Sequence, residues 1–219
     1  MTSHAARSIT RVAVAAFAAG LVCSFAPGSA SAQTTAESFV QQNTSRALAI
    51  LGDKTLNAAD RRARMQDLMA SFLDLKRMAL FALGTAARTA APADIDAFVA
   101  AYRQFALANY ATELSSYMGQ TLRMTNTAQR APGDYIVNAM MIDPADKSDP
   151  PAPVSFRVLD EGAGKFALVD ASVAGVWFTL AQRDDFRGYL GQHGGDISAL
   201  IAHLKDQAAH PQAASNAAR

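Results

Sequence analysis

The run from Val154 to Val176, VSFRVLDEGAGKFALVDASVAGV, decides the fold. Val154, Phe156 and Val158 alternate with Ser155 and Arg157, the period of a strand with one face buried. EGAG then breaks the pattern with two glycines, the composition of a hairpin turn. KFALVDASVAGV returns as a second, more continuously apolar strand. A short turn between two strands makes them antiparallel neighbours.

The same period extends upstream. TLRMTN (121–126) and YIVNAMMID (135–143) alternate, with the turn APGD between them. PADKSDPPAP (144–153) is polar and proline-rich, which no strand interior tolerates, so it is a loop. Four successive strands with short connections predict an antiparallel sheet.

On either side of the sheet the period becomes helical. Residues 33–53 suit a short amphipathic helix with Phe39, Leu48 and Leu51 on its apolar side. Leu68, Phe72 and Leu75 recur at i, i+4 and i+7. Asp74 is placed to cap a second, shorter helix ending at Gly84. Pro92 fits the first position of a long helix that Gly119 stops. Phe98, Tyr102 and Phe105 share one of its faces, and Tyr110, Leu114 and Tyr117 continue that face after a slip. Thr179 and Gln182 have capping-box spacing before Phe186 and Leu190. After GQHGGD, Asp196 caps a last helix carrying Ile197, Leu200, Ile201 and Leu204. Together these elements predict an α+β domain over residues 33–205, with a disordered tail at 206–219.

The N-terminus differs in kind. Arg7 and Arg11 precede an uncharged run from Val12 to Ala26, and small residues stand at Ala30 and Ala32. That is the layout of a secretory signal over residues 1–32, cut between Ala32 and Gln33. The apolar run is shorter than the ~20 residues that span a bilayer, which argues against a membrane anchor. A lipid anchor on Cys23 is disfavoured by the bulky Val22 before it. Cleavage removes Cys23, the single cysteine, and turns the formal charge from +1 to −1. The expected mature protein is therefore stabilised by its core alone.

Half of the 219 residues are hydrophobic and 18% are charged, values of a globular chain. With a near-zero net charge and no basic block, nucleic acid is not an expected partner. His193, His203 and His210 show no metal-ligand spacing, and no G-x-S-x-G elbow exists. EGAGK lacks the spacing and the Ser or Thr of a phosphate loop. Asp160-Glu161 sits in a turn, and Asp184-Asp185 is expected in the first turn of a helix, favoured by the dipole. Asp170 stands out, because an acid within an apolar strand needs a partner. Arg183 on the next helix is one candidate, and solvation near the strand's end is the other.

Several stretches carry a family likeness. FVAAYRQFALANYATEL (98–114), VSFRV (154–158), KFALVDASVAGV (165–176) and QRDDF (182–186), with RMALFALG (77–84) upstream, resemble the MlaC family, the toluene-tolerance auxiliary proteins. The likeness runs from about Phe39 to Leu204. It implies a curved antiparallel sheet of about four strands packed on helices, with an apolar cavity between. It also implies a monomeric periplasmic carrier in a Gram-negative bacterium, holding a phospholipid by its acyl chains. Such a carrier shuttles lipid between an outer-membrane lipoprotein complex and an inner-membrane ABC transporter, maintaining outer-membrane lipid asymmetry, and needs no cofactor. A hopanoid is an alternative passenger. This chain departs from the pattern at Trp177, where a small residue is usual, at Ala181-Gln182, at Phe166, and at Ala91, where a Ser or Thr cap is common.

On this reading the helices supply Leu68, Phe72, Leu75, Phe98, Tyr102, Phe105 and Tyr110 to a lipid-binding wall. The strands supply Val137, Met141, Val154, Phe156, Val158, Val169 and Val173, with Trp177 and Phe178 at the rim. Asp170 and Arg183 form a structural clamp. Two rivals stand beside it: an isomerase or hydrolase using Asp170 with Tyr102 or Tyr110, and an interaction protein whose interior is filled.

Overall fold

A computed structural model describes residues 28–115, 119–143 and 150–211. Its strands are β1 (Thr121–Ala131), β2 (Asp134–Ile142), β3 (Ala152–Gly162), β4 (Lys165–Val173) and the short β5 (Val176–Trp177). They form one antiparallel meander in chain order, β1-β2-β3-β4-β5. Around it lie α1 (Gly28–Gly52), α2 (Ala58–Phe72), α3 (Leu75–Leu83), α4 (Pro92–Leu114), α5 (Phe178–Gln192) and α6 (Ile197–Ala209). The fold is α+β, as the residue periods predict.

Local chemistry explains most boundaries. Ala163 and Gly164 turn β3 into β4 with φ of 52° and 75°, the double positive φ that a tight hairpin needs. Ala174 and Gly175, at 50° and 84°, make a second such turn. That turn splits the run read as one strand into β4 and β5. Asp74 Oδ1 accepts from the Arg77 backbone N–H at 2.9 Å and starts α3. Gly84 ends it with a φ of 64°, and a Cβ there would meet Arg183 Nε at 3.0 Å. Asp196 caps α6 by accepting from the Ser198 and Ala199 N–H groups.

Other boundaries differ from the expectation. β1 continues to Ala131, past the alternating stretch. α4 ends at Leu114 with Ser115 as its cap, short of Gly119, and Tyr117 lies outside the described residues. α6 runs to Ala209, past residue 205. α5 starts at Phe178, so Asp184 and Asp185 fall in its second turn. The signal run and Cys23 also lie outside the described residues, as do 144–149 of the proline-rich loop. The expected cleavage point between Ala32 and Gln33 falls within the span of α1. Among the described residues, no helix is long and apolar enough to cross a membrane.

Three buried clusters hold the molecule. The first joins α3, α4, α5 and α6 around Phe98, Tyr102 and Phe186, with the Phe98 and Phe186 rings edge-to-face at 6.0 Å. The second seats Ala36 and Val40 of α1 on Tyr135, Val137 and Val158 of the sheet. The third packs Met65, Leu68 and Met69 of α2 on Ala111 of α4. The Asp74 N–H also donates to Leu168 O at 3.0 Å, fixing the α2–α3 junction to β4.

Pro92 occupies the start of α4, but its N-cap Ala91 offers no side-chain acceptor. Ala91 already has extended backbone angles (φ −65°, ψ 148°), so a hydroxyl fits without rearrangement. Ala91→Ser should therefore stabilise the protein by about 1 kcal/mol. Thermal melts should show this as a rise of about 2–4 °C.

Candidate functional site

The second and third clusters do not close on each other everywhere. Among α1, α2, α4 and the sheet they leave a cavity of about 210 Å³. One side of α1 faces it with Phe39, Val40, Asn43, Thr44, Ala47, Leu48 and Leu51. These positions recur every three or four residues, so the helix presents one stripe. Asn43 and Thr44 are polar, yet each turns back on its own helix. Asn43 Nδ2 donates to Phe39 O and Thr44 Oγ1 donates to Val40 O, both at 2.9 Å.

Opposite α1 stand Met65, Met69 and Phe72 of α2, and Tyr110, Glu113 and Leu114 of α4. The sheet contributes Leu122, Met141, Val154, Phe156, Leu168, Ala171 and Val173. Leu48, Leu51, Leu114, Leu122 and Met141 are partly exposed, and Leu122 pairs with Met141 where β1 begins and β2 ends. Val40, Met78 and Leu168 are buried. Among the described residues, the lining includes no Lys, Arg or His.

Of the residues proposed from the sequence, Phe72, Tyr110, Met141, Val154, Phe156, Val173 and Phe178 lie on this lining. The others do not. Phe98, Tyr102 and Phe105 belong to the helical core. Leu75 joins them, because the break at Leu73 ends α2 and takes it out of register with Leu68 and Phe72. Leu68 is buried in the third cluster, and Val137 and Val158 lie beneath α1. Trp177 pairs with Ser172 at the sheet's edge. Val169 is displaced by a β-bulge. Arg157 pairs with Asp170 and Val158 with Leu168, so Val169 has no cross-strand partner. The extra residue changes which positions share a face. Leu168, Ala171 and Val173 therefore line the cavity, where unbroken alternation had suggested Val169 and Val173.

The expected clamp between Asp170 and Arg183 does not form. Asp170 is 8% exposed and neither solvated nor paired with a cation. Its Oδ1 accepts from the Thr179 N–H at 3.1 Å and the Ala171 N–H at 2.9 Å, and its Oδ2 accepts from the Thr179 hydroxyl. α5 has Trp177 at its N-cap, without a side-chain bond. Asp170 supplies the missing cap from β4. Arg183 instead holds its guanidinium 5.3 Å from the Phe81 ring centroid. Nor does the Thr179–Gln182 capping box form. Gln182 Oε1 accepts from the Tyr102 hydroxyl at 2.7 Å, and its Nε2 donates to the Tyr110 oxygen at 2.9 Å. Burial raises the Tyr102 phenol well above its ordinary range and pushes Tyr110 up to about 12.

α1 is the part of the wall that sequence reading missed. Phe39, Leu48 and Leu51 mark its apolar side, but nothing in the residues says what that side covers. The methionines Met65 and Met69, four apart, were a second signal, since flexible thioethers adapt to varied shapes.

Fold and cavity together define a helix-backed antiparallel-sheet protein built around an apolar hollow. The chain belongs to the MlaC family: residues 41–206 match the family model described as MlaC protein. Among solved structures, it is similar to a phospholipid-binding protein from Ralstonia solanacearum in complex with a phospholipid. The TM-score is 0.66 at 20% identity, over 80% of this chain and 97% of that one. No curated protein matches the chain significantly.

Proposed function

We propose that the protein is a lipid carrier that takes the acyl chains of a phospholipid into the cavity between α1 and the sheet. The observation carrying this reading is the lining itself: mostly aliphatic, aromatic and thioether side chains, with Asn43, Thr44, Glu113, Gln120 and Asp170 as its polar members and no cation among the described residues. Burying each methylene is worth about 0.8 kcal/mol, so such a wall holds hydrocarbon without any specific polar contact. Family membership and the phospholipid complex of the Ralstonia relative support it. The same likeness supports a periplasmic role, after removal of residues 1–32, between an outer-membrane lipoprotein complex and an inner-membrane ABC transporter.

Drug-sized ligands occupy pockets of roughly 300–1,000 Å³. At about 210 Å³ the cavity must widen to take two full chains. α1 contributes seven lining residues and closes the side opposite the sheet, so its outward movement is the simplest way to widen it.

The chemistry argues against the enzyme reading. Both Asp170 oxygens are engaged in capping α5. Tyr102 and Tyr110 are held neutral by burial, so neither phenol is tuned for proton transfer near neutral pH.

Organic extraction of the purified full chain, followed by mass spectrometry, tests the proposal. A diacyl phospholipid near one per protein is the expected result. A hopanoid in its place would keep the carrier and change the passenger. Protein that carries no lipid after exposure to vesicles would refute the reading.

A further inference from the structure

Tyr110 and Phe178 stand where the cavity meets the helical core. Both line it, with ring centroids 6.0 Å apart. Tyr110 also packs on the first cluster, in which the rings of Phe98, Tyr102 and Phe186 lie 6.0–6.3 Å from one another. Tyr102 is fully buried there, so the packing behind Tyr110 is closed. Gln182 of α5 bridges the two tyrosines of α4, accepting from the Tyr102 hydroxyl at 2.7 Å and donating to the Tyr110 oxygen at 2.9 Å. Turning the Tyr110 ring aside would break its bond to Gln182 and leave buried polar groups without partners. α1 is held differently. Its lining amide and hydroxyl, Asn43 and Thr44, bond to their own helix, so α1 can shift without giving those bonds up. The cavity therefore widens at α1 more readily than it lengthens past Tyr110.

We infer that the Tyr110–Phe178 pair, pinned by Gln182, is a stop for acyl chains, and that the protein selects its passenger by chain length. Tyr110 determines the specificity, and Gln182 is a positioning residue that acts through it. This rests on the lipid-carrier reading and adds to it a limit that a soft apolar wall alone does not set. A methylene with room in the protein is as well buried as in the bilayer it left. One that meets the stop has no such place. Each methylene beyond the limit should lower retention about fourfold, the worth of its burial.

The full chain, stripped of lipid, is incubated with vesicles holding equal amounts of dimyristoleoyl, dipalmitoleoyl, dioleoyl, dieicosenoyl and dierucoyl phosphatidylcholine. The protein is re-isolated and its lipids are counted by mass spectrometry against the vesicle's own ratio. The expected result is level uptake of the shorter species, then a fall of about fifteenfold for each two-carbon step beyond the limit. Tyr110→Leu removes the far part of the ring and should move the limit up by one step. Should that variant fail to fold, Tyr110→Met makes similar room. Gln182→Met leaves the ring in place but unpinned, and should at least halve the fall per step. Phe105→Leu is the control, since Phe105 is on the same helix but packs in the helical core and not on the lining. It should lower the melting temperature and leave the limit where it was. Uptake that follows the vesicle ratio throughout the series would overturn the inference and leave the carrier intact. So would a limit that stays in place in Tyr110→Leu, or one that moves as far in Phe105→Leu. An unchanged fall in Gln182→Met would overturn the role given to Gln182. Uptake of no species at all would overturn the carrier reading as well.

Discussion

Ala47→Trp should leave the protein folded and nearly free of lipid. Ala47 sits on the cavity-facing stripe of α1 and packs at the edge of the third cluster. An indole there points into open space, so the overpacking cost of about 1–3 kcal/mol typical of a filled core does not apply. It does take room from a cavity of only about 210 Å³. Displacing two methylenes of a bound chain already costs about 1.6 kcal/mol, more than a tenfold loss of occupancy. Ala106→Trp is the control. Ala106 is fully buried within the helical core, where no such space exists, and that variant should unfold or aggregate. Lipid per protein by mass spectrometry and the melting temperature are the two readings needed. If Ala47→Trp carries lipid at the unaltered ratio, the passenger lies elsewhere.

Asp170→Ala should be the most destabilising polar substitution in the wall. It strands the Thr179 N–H and hydroxyl, both buried, without an acceptor. Unsatisfied groups of this kind cost about 1–3 kcal/mol each. A total near 3 kcal/mol corresponds to a fall of about 6–12 °C in Tm for a chain of this size. Arg183→Ala serves as the comparison. It removes one ring contact at the surface, worth about 0.5–1 kcal/mol. A large gap between the two melts is expected, because Asp170 acts on Thr179 and not on Arg183. Equal losses in the two variants would revive a direct partnership between them.

Local chemistry was legible in the sequence wherever one residue decides an element's end. Asp74, Gly84, Pro92 and Asp196 each do what their type and position suggest. The strands were legible from alternation until alternation failed. The bulge at Val169 inserts one residue into β4, and no residue type announces it. The candidate wall suffered more than the fold for a related reason. Phe98 and Phe72 look alike in a helical pattern, yet one fills the helical core and the other fronts the cavity. Burial against a neighbour and burial against a space leave the same mark on composition. Asp170 shows a third limit: two of its three donors are backbone N–H groups, which every residue but proline possesses. The sequence could mark the acid as needing something, not which main-chain group would answer.

The absence of any cationic anchor among the described lining residues has a thermodynamic consequence. A wall that resembles the inside of a bilayer offers an acyl chain little net gain over the membrane it leaves. In the carrier reading, such a protein shortens the time of passage and sets no preferred destination. Vectorial flow would then require an energy-consuming step at one terminus of the route, with this chain as the passive leg between.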